Sequence, residues 1–283
     1  MPTPRQRALQ ASGRRPRSSL RAAWAPTLVA LAWVLVGCDA GLSSASSPGL
    51  GFGSLVLGTA LTTAIALAVA VPLGLLAAIY LAEFATAELR RVIDPTFELL
   101  GGVPTVVLGY VALVFLTPML QRAVPGLSSF NALSPGVVIG VMIVPMIASL
   151  SCRAIEAVPL GLREGAWALG VGEARTIVKI VLPAAASGVG ASILLASSRA
   201  IGETMIVAIA AVAAGQGSSS GLDPRGPVQT MTAYIVQTPP TDAAVRSTIF
   251  ALGASLFVLT VALNLVAQRM VPRARAEGGH ERA

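Results

Sequence analysis

Residues 162–183 read LREGAWALGVGEARTIVKIVLP, a charged interruption in the most apolar half of the chain. Pro159 and Gly161 close the helix that precedes it. Residues 162–169 then read helical, Gly170-Val171-Gly172 breaks the pattern, 173–182 resumes it, and Pro183 is expected to stop it. The result is a short helix, a turn and a second short helix with mixed apolar and charged faces. Such a unit is a rigid knob, suited to a groove in another protein. Its flanks decide the fold. Residues 135–152 before it and 187–214 after it are apolar and of the length, about 20 residues, that a bilayer core demands.

Outward from this loop the same pattern repeats. Residues 53–82, 99–120 and 247–268 are further spans by low charge and by Leu, Val, Ile and Ala density. Pro72, Pro104, Pro118 and Pro145 lie in or at the ends of the spans. They would break soluble helices but are tolerated in membrane bundles, usually as kinks. The whole chain agrees: 283 residues, 54% hydrophobic and 12% charged, with a mean hydropathy of +0.77. A soluble domain carries about 25% charged residues. The composition therefore excludes a soluble globule and a disordered chain, and two cysteines exclude a disulfide framework. The fold class read from these runs is an all-α membrane protein with about six transmembrane helices.

The net charge of +7 reports topology. All 20 Lys and Arg residues except Arg122, Arg199, Arg225 and Arg246 fall before residue 24, in the second and fourth connections, or after residue 268. Positive residues mark cytoplasmic loops, so both termini and the 153–186 connection lie inside if six segments span. The excess makes no case for nucleic acid. The same topology places Cys38 at the outer end of the first segment and Cys152 at the inner end of the fourth. That is a membrane thickness apart, too far for a disulfide within one chain.

The first segment, 24–37, is only 14 residues long. Its end, Leu35-Val36-Gly37-Cys38, resembles the lipobox of bacterial lipoprotein signal peptides, in which the cysteine is lipidated after cleavage. The alternative is a short, retained first membrane helix. Residues 1–23 then form a basic cytoplasmic tail, 24–38 the weak helix or signal, 39–52 a polar outer linker, 53–268 the core of five spans, and 269–283 a second cytoplasmic tail. The last outer connection, 215–246, starts Gly/Ser-rich, and its apolar 231–236 is expected to lie on the membrane surface or dip into it. It reads either as a docking rim for an external protein or as a plain loop.

Within the fifth span, Arg199 and Glu203 fall near the bilayer centre, where a charge costs about 2.5–3.5 kcal/mol. Four residues apart, they are expected to share one helix face, with Thr204 adding a hydroxyl and Gly202 admitting a neighbouring helix. Such a pair is either an anion site or a structural ion pair. Arginine offers a planar fork of N–H donors that fits phosphate oxygens. A carboxylate can accept a hydrogen bond from a protonated phosphate, which sulfate lacks, and can hold the arginine when the pathway is empty.

Two motifs carry a resemblance. Glu164-Gly165-Ala166, then Gly170, then Ile180-x-Leu182-Pro183 resembles the EAA loop of binding-protein-dependent ABC importer permeases. Gly165 stands where that family usually has Ala, which loosens the first coupling helix slightly. Arg199-Ala200-x-Gly202-Glu203-Thr204 is similar to the R-A-x-G-E-T sequence shared by the membrane subunits of phosphate-specific (Pst) transporters, and Met205 favours the PstC type over the PstA type. The similarity, which includes Leu99–Val107 and Gly74–Glu83, runs from about 53 to 268. It implies a type I (MetI-like) permease fold with a cytoplasmic coupling-helix loop. It implies import of inorganic phosphate, with Arg199, Glu203 and Thr204 on the substrate pathway. The implied partners are a PstA-like second permease, a pair of ATPase subunits holding ATP and Mg, an extracytoplasmic phosphate-binding protein and membrane lipid. The chain has no G-x-x-x-x-G-K-S/T phosphate loop, no metal-site motif and no catalytic constellation, so it is expected to hold no cofactor and to be no enzyme by itself. The rival readings are a permease for molybdate or sulfate, an ion-coupled carrier without an ATPase, and a phosphate-sensing scaffold.

Overall fold

A computed structural model of the chain describes residues 52–212 and 223–270. The weak first segment, Cys38 and both charged tails lie outside the described residues. So do 213–222, the Gly/Ser-rich start of the last outer connection. Among the described residues every regular element is helical. In chain order they are α1 (Phe52–Glu83), α2 (Ala87–Gly102), α3 (Thr105–Ala123), α4 (Leu133–Glu156), α5 (Leu160–Ala168), α6 (Glu173–Ile201), α7 (Met205–Ala210), α8 (Met231–Gln237) and α9 (Ala243–Met270). Five of these, α1, α3, α4, α6 and α9, are long and apolar enough to cross a membrane.

Small residues set the packing. Helices α1 and α4 run parallel and touch backbone to backbone. A Cβ on Gly136 would lie 2.7 Å from Ile65, one on Gly140 2.8 Å from the Ala66 carbonyl, and one on Gly74 2.8 Å from Ile147. Gly136 and Gly140 form a G-x-x-x-G step, the device by which membrane helices approach closely where lipid supplies no hydrophobic drive. Helix α6 returns antiparallel along α4: Gly188 meets Ala154 and the Ser151 and Ser192 hydroxyls lie 2.7 Å apart. Helix α9 then lies antiparallel on α6, joined by Ser198 Oγ donating to Asn264 Oδ1 at 2.8 Å. Around these contacts Ala66, Ile143, Ile147, Ala196, Ile206 and Val207 form the central core. Leu73, Leu76, Phe115, Met119, Phe250 and Phe257 remain exposed on the outside of the helices, where lipid or a further subunit would cover them.

The parallel and antiparallel runs fix the ends. Arg90, Arg91, Arg153, Arg163, Arg175, Lys179 and Arg269 gather at one end of the bundle, and Arg122, Arg225 and Arg246 fall at the other. This is the charge asymmetry read from the sequence.

Three expectations need correction. The span expected at 99–120 is two elements. Its first residues belong to α2, and the chain turns through extended Val103 (φ −64°, ψ 130°) into Pro104, because a residue before proline is driven out of the helical region. Second, Pro183 does not stop a helix. Residues Ile177–Val181 widen into a π turn, and the helix continues as far as Ile201. Pro118 sits behind an equivalent π turn at Ala112–Leu116. A proline lacks the donor for the i−4 carbonyl and collides with it; the wider turn passes the acceptor to another residue. Third, the span expected at 187–214 breaks after Ile201, with consequences for the site.

The chain beyond residue 223 enters the bundle. The Val228 N–H donates to Ala211 O at 3.1 Å, and the Met231 N–H donates to Thr59 Oγ1 at 3.0 Å. At Gly58 a Cβ would lie 2.3 Å from the Gln229 carbonyl, so no larger residue fits. Met231, Thr232 and Ala233 of α8 are buried, which selects the dipping alternative over the surface one. Irregular backbone at membrane depth is tolerated only when protein buries it, and this segment satisfies its polar groups on α1, α7 and the 202–204 turn.

Candidate functional site

Helix α6 ends at Gly202, whose N–H donates to Ser198 O at 3.2 Å, and the Glu203 N–H donates to Ala200 O, also at 3.2 Å. Glycine is the poorest helix former apart from proline, and the apolar run 205–212 resumes only as the short α7. Arg199 thus occupies the last turn of a long helix, and Glu203 lies beyond its end. The expected shared helix face does not exist. No ion pair within 4.0 Å joins the two among the described residues, whose ion pairs are Arg90–Glu156 and Arg163–Glu83. Gly202 admits no neighbouring helix either: a Cβ there would meet only its own chain, 3.5 Å from Ser198 O. Its work is to end the helix.

Each member of the expected site has a distinct place. Arg199 is exposed and lines a cavity of about 440 Å³. The register of α6 on α4, Ser192 beside Ser151 and Gly188 beside Ala154, carries Arg199 to the middle of α4, at the level of Pro145. From there the cavity follows α4 past Met146, Ser149 and Cys152 to Arg153 and Glu156 at the inner end. Arg90, Phe97 and Gly101 of α2 and Leu81 of α1 close its sides. Glu203 is half-buried, and its carbonyl accepts a bond from Thr232 Oγ1 of α8 at 3.0 Å. Thr204 donates its hydroxyl to Gly202 O at 3.2 Å, so that group braces the break. Arg199 alone of the three lines the cavity.

The cavity therefore presents, at mid-depth, a guanidinium with no ion-pair partner among the described residues, and a basic inner mouth. Arg90 is held there by Glu156 and by the Leu81 carbonyl, while Arg153 is exposed along the wall. In the sequence Arg90 and Arg153 read only as topology markers. Their spacing from Arg199 along the chain, 109 and 46 residues, gives no sign that they line one space. Chemically the arrangement offers N–H donors and positive charge to an anion. No group of three or more His, Cys, Asp or Glu that could hold a metal occurs among the described residues.

The coupling-loop residues cluster at the inner end. Glu164 and Gly165 are exposed on α5, and Ala166 is buried against the start of α6, where Thr176 and Ile177 are buried too. Gly170 adopts φ +75° and closes α5 with a left-handed turn: the Val171 N–H donates to Ala166 O at 3.1 Å and the Gly170 N–H to Trp167 O at 2.9 Å. Ile180 and Leu182 are half-buried and Pro183 is exposed, all on α6. Along α5 Leu160, Leu162 and Trp167, with Leu169 just past its end, are 67%, 48%, 50% and 84% exposed. So large an apolar share on a charged-end helix marks a contact surface.

Comparison with known proteins gives the chain's family and fold. Residues 70–276 match the family described as "Binding-protein-dependent transport system inner membrane component". The chain is 33% identical over 251 residues to the phosphate transport system permease protein PstC of Mesorhizobium japonicum, covering 81% of this chain and 76% of that protein. It is 33% identical over 247 residues to phosphate transport system permease protein PstC 1 of Mycobacterium tuberculosis, covering 77% and 71%. Among solved structures, an inward-facing form of the MetNI methionine ABC transporter superposes with a TM-score of 0.53 at 16% identity, covering 85% of this chain and 97% of that one. The helices thus share that transporter's fold.

Proposed function

From the premise that this chain belongs to the family of binding-protein-dependent transport system inner membrane components, we propose that it is the PstC-type permease subunit of an ATP-driven importer of inorganic phosphate. It is a multi-pass protein of the cytoplasmic membrane, as the family and the five apolar helices require, and a transport component. Its phosphate-transporting relatives support the substrate class. The observation that carries the reading is Arg199: a guanidinium at the level of the middle of α4, without a carboxylate partner among the described residues, facing a cavity that leads to the inner end.

On this reading a PstA-like chain faces the open side of the cavity and supplies the other half of the pore. ATPase subunits, which hold ATP and Mg, dock on the exposed apolar residues of α5 beside Glu164. An extracytoplasmic binding protein delivers phosphate at the outer end. Phosphate meets Arg199 through charge-assisted hydrogen bonds, about twice as strong as neutral ones. Glu203 lies beyond the helix end and outside this cavity, so the contact with phosphate falls to Arg199. Thr204 acts by bracing the 202–204 turn.

The test is uptake of labelled phosphate by vesicles holding all subunits, with sulfate and molybdate as competitors. Uptake that needs ATP and resists both competitors is the expected result. Persistence without ATP refutes the ABC reading, and equal competition by molybdate refutes phosphate selectivity.

A further inference from the structure

We propose that the buried pair Glu83–Arg163 is the strut that transmits movement of the docked helix α5 to the cavity wall. This rests on the reading that α5 engages an ATPase. Arg163 Nη1 donates to Glu83 Oε2 at 3.0 Å, and its Nη2 lies 3.0 Å from Glu83 Oε1. The same Nη2 donates to the Ile155 carbonyl at 3.0 Å. One guanidinium therefore grips the inner ends of both α1 and α4. The side chains of Arg163 and Glu83 are only 12% and 9% exposed. Arg90–Glu156, at the same end, is 35% and 39% exposed and is the ordinary solvated kind.

Position gives the pair its role. On α5, Leu162, Glu164 and Trp167 are exposed, as is Leu169 just past its end, and Ala166 is buried beside the start of α6. Arg163 is the helix's charged link to anything else. Helices α1 and α4 touch through Gly136, Gly140 and Gly74 with no slack, so a pull on Glu83 and Ile155 moves them together. Leu81 of α1 and the α4 residues from Met142 to Glu156 wall the cavity, while Arg199 belongs to α6. Displacing α5 therefore pulls directly on the α1–α4 wall of the cavity that Arg199 faces. A simple tether is served as well by apolar residues, since burying two charges is often neutral or costly overall. A charged pair adds a directional, charge-assisted hydrogen bond, from Arg163 Nη1 to Glu83 Oε2, that is lost as soon as either partner changes. Neither residue belongs to the Glu164–Pro183 motif, and they are 80 positions apart.

The experiment uses the full transporter in vesicles and reads phosphate uptake and ATP hydrolysis in parallel. Glu83→Gln keeps the shape and one acceptor but removes the charge. Its expected result is an assembled complex that hydrolyses ATP while phosphate imported per ATP falls about tenfold, as loss of a coupling energy of about 1.4 kcal/mol gives. Arg163→Lys keeps the charge yet cannot hold Glu83 and the Ile155 carbonyl in a planar fork; a severalfold loss of the same ratio is expected. An unchanged ratio in either variant overturns the proposal. If Glu83→Gln does not accumulate, Arg163→Lys decides. Failure of the docking premise shows separately: a Leu169→Ala, Trp167→Ala variant that retains its ATPase subunit in full refutes docking on α5 whatever the strut does.

Discussion

Two glycines five residues apart in the coupling loop should respond to the same substitution with opposite signs. Gly165 lies within α5, and a Cβ there meets nothing within 4 Å. Alanine adds no clash and removes the helix penalty of glycine, about 0.8–1.0 kcal/mol. Gly170 is equally open, but its φ is +75°. There alanine must adopt a left-handed backbone at a cost of about 1–2 kcal/mol, and the turn that satisfies the Ala166 and Trp167 carbonyls weakens with it. The two variants should thus differ by about 2–3 kcal/mol in local stability. Hydrogen exchange of peptides covering 160–172 in the membrane-embedded protein reads this directly, because α5 opens locally. Gly165→Ala should slow exchange about fivefold and Gly170→Ala should speed it by a similar or larger factor. Slowing in both variants would show that Gly170 is not held left-handed, and the account of how α5 ends would fail.

Two further substitutions test other contacts. Gly140→Val drives a side chain into the Ala66 carbonyl and Val69, 2.8 and 2.9 Å from a Cβ; overpacking of this kind costs about 1–3 kcal/mol. It should lower the Tm of the detergent-solubilised protein, while the same change at open Gly161 should leave α1–α4 packing intact. Glu164→Lys reverses an exposed charge on α5 and should reduce co-purification of the ATPase subunit and uncouple ATP hydrolysis from uptake without lowering Tm. Unaltered coupling would remove Glu164 from the docking surface.

The long apolar runs and the skewed arginines made the spans, their direction and the coupling loop legible, because membrane insertion imposes both rules on composition. The break at 202–204 was not legible. Hydropathy is continuous across it, and a lone glycine in an apolar run reads equally as a helix contact or a helix end. Pro183 misled for the opposite reason: proline normally stops a helix, and only the π turn at Ile177–Val181 lets this one continue. Val103-Pro104 did signal the boundary of α2, but the apolar 99–102 hid it. The pairs Glu83–Arg163 and Arg90–Glu156, like the cavity that Arg199 shares with Arg153, depend on tertiary packing. Nothing in local spacing announces them. Within the motif R-A-x-G-E-T the sequence set three residues together, and the geometry gives them separate places. Arg199 lines the cavity, Glu203 sits past the helix end, and Thr204 holds the turn.

The central claim is that Arg199 contacts the transported anion. ATP-dependent phosphate uptake by vesicles holding the full transporter, compared between the parent and Arg199→Ala at equal amounts of assembled complex, tests it most directly. Since one charge-assisted contact contributes about 1.5–3 kcal/mol, uptake at subsaturating phosphate should fall by at least about tenfold. Uptake equal to the parent's would contradict the account.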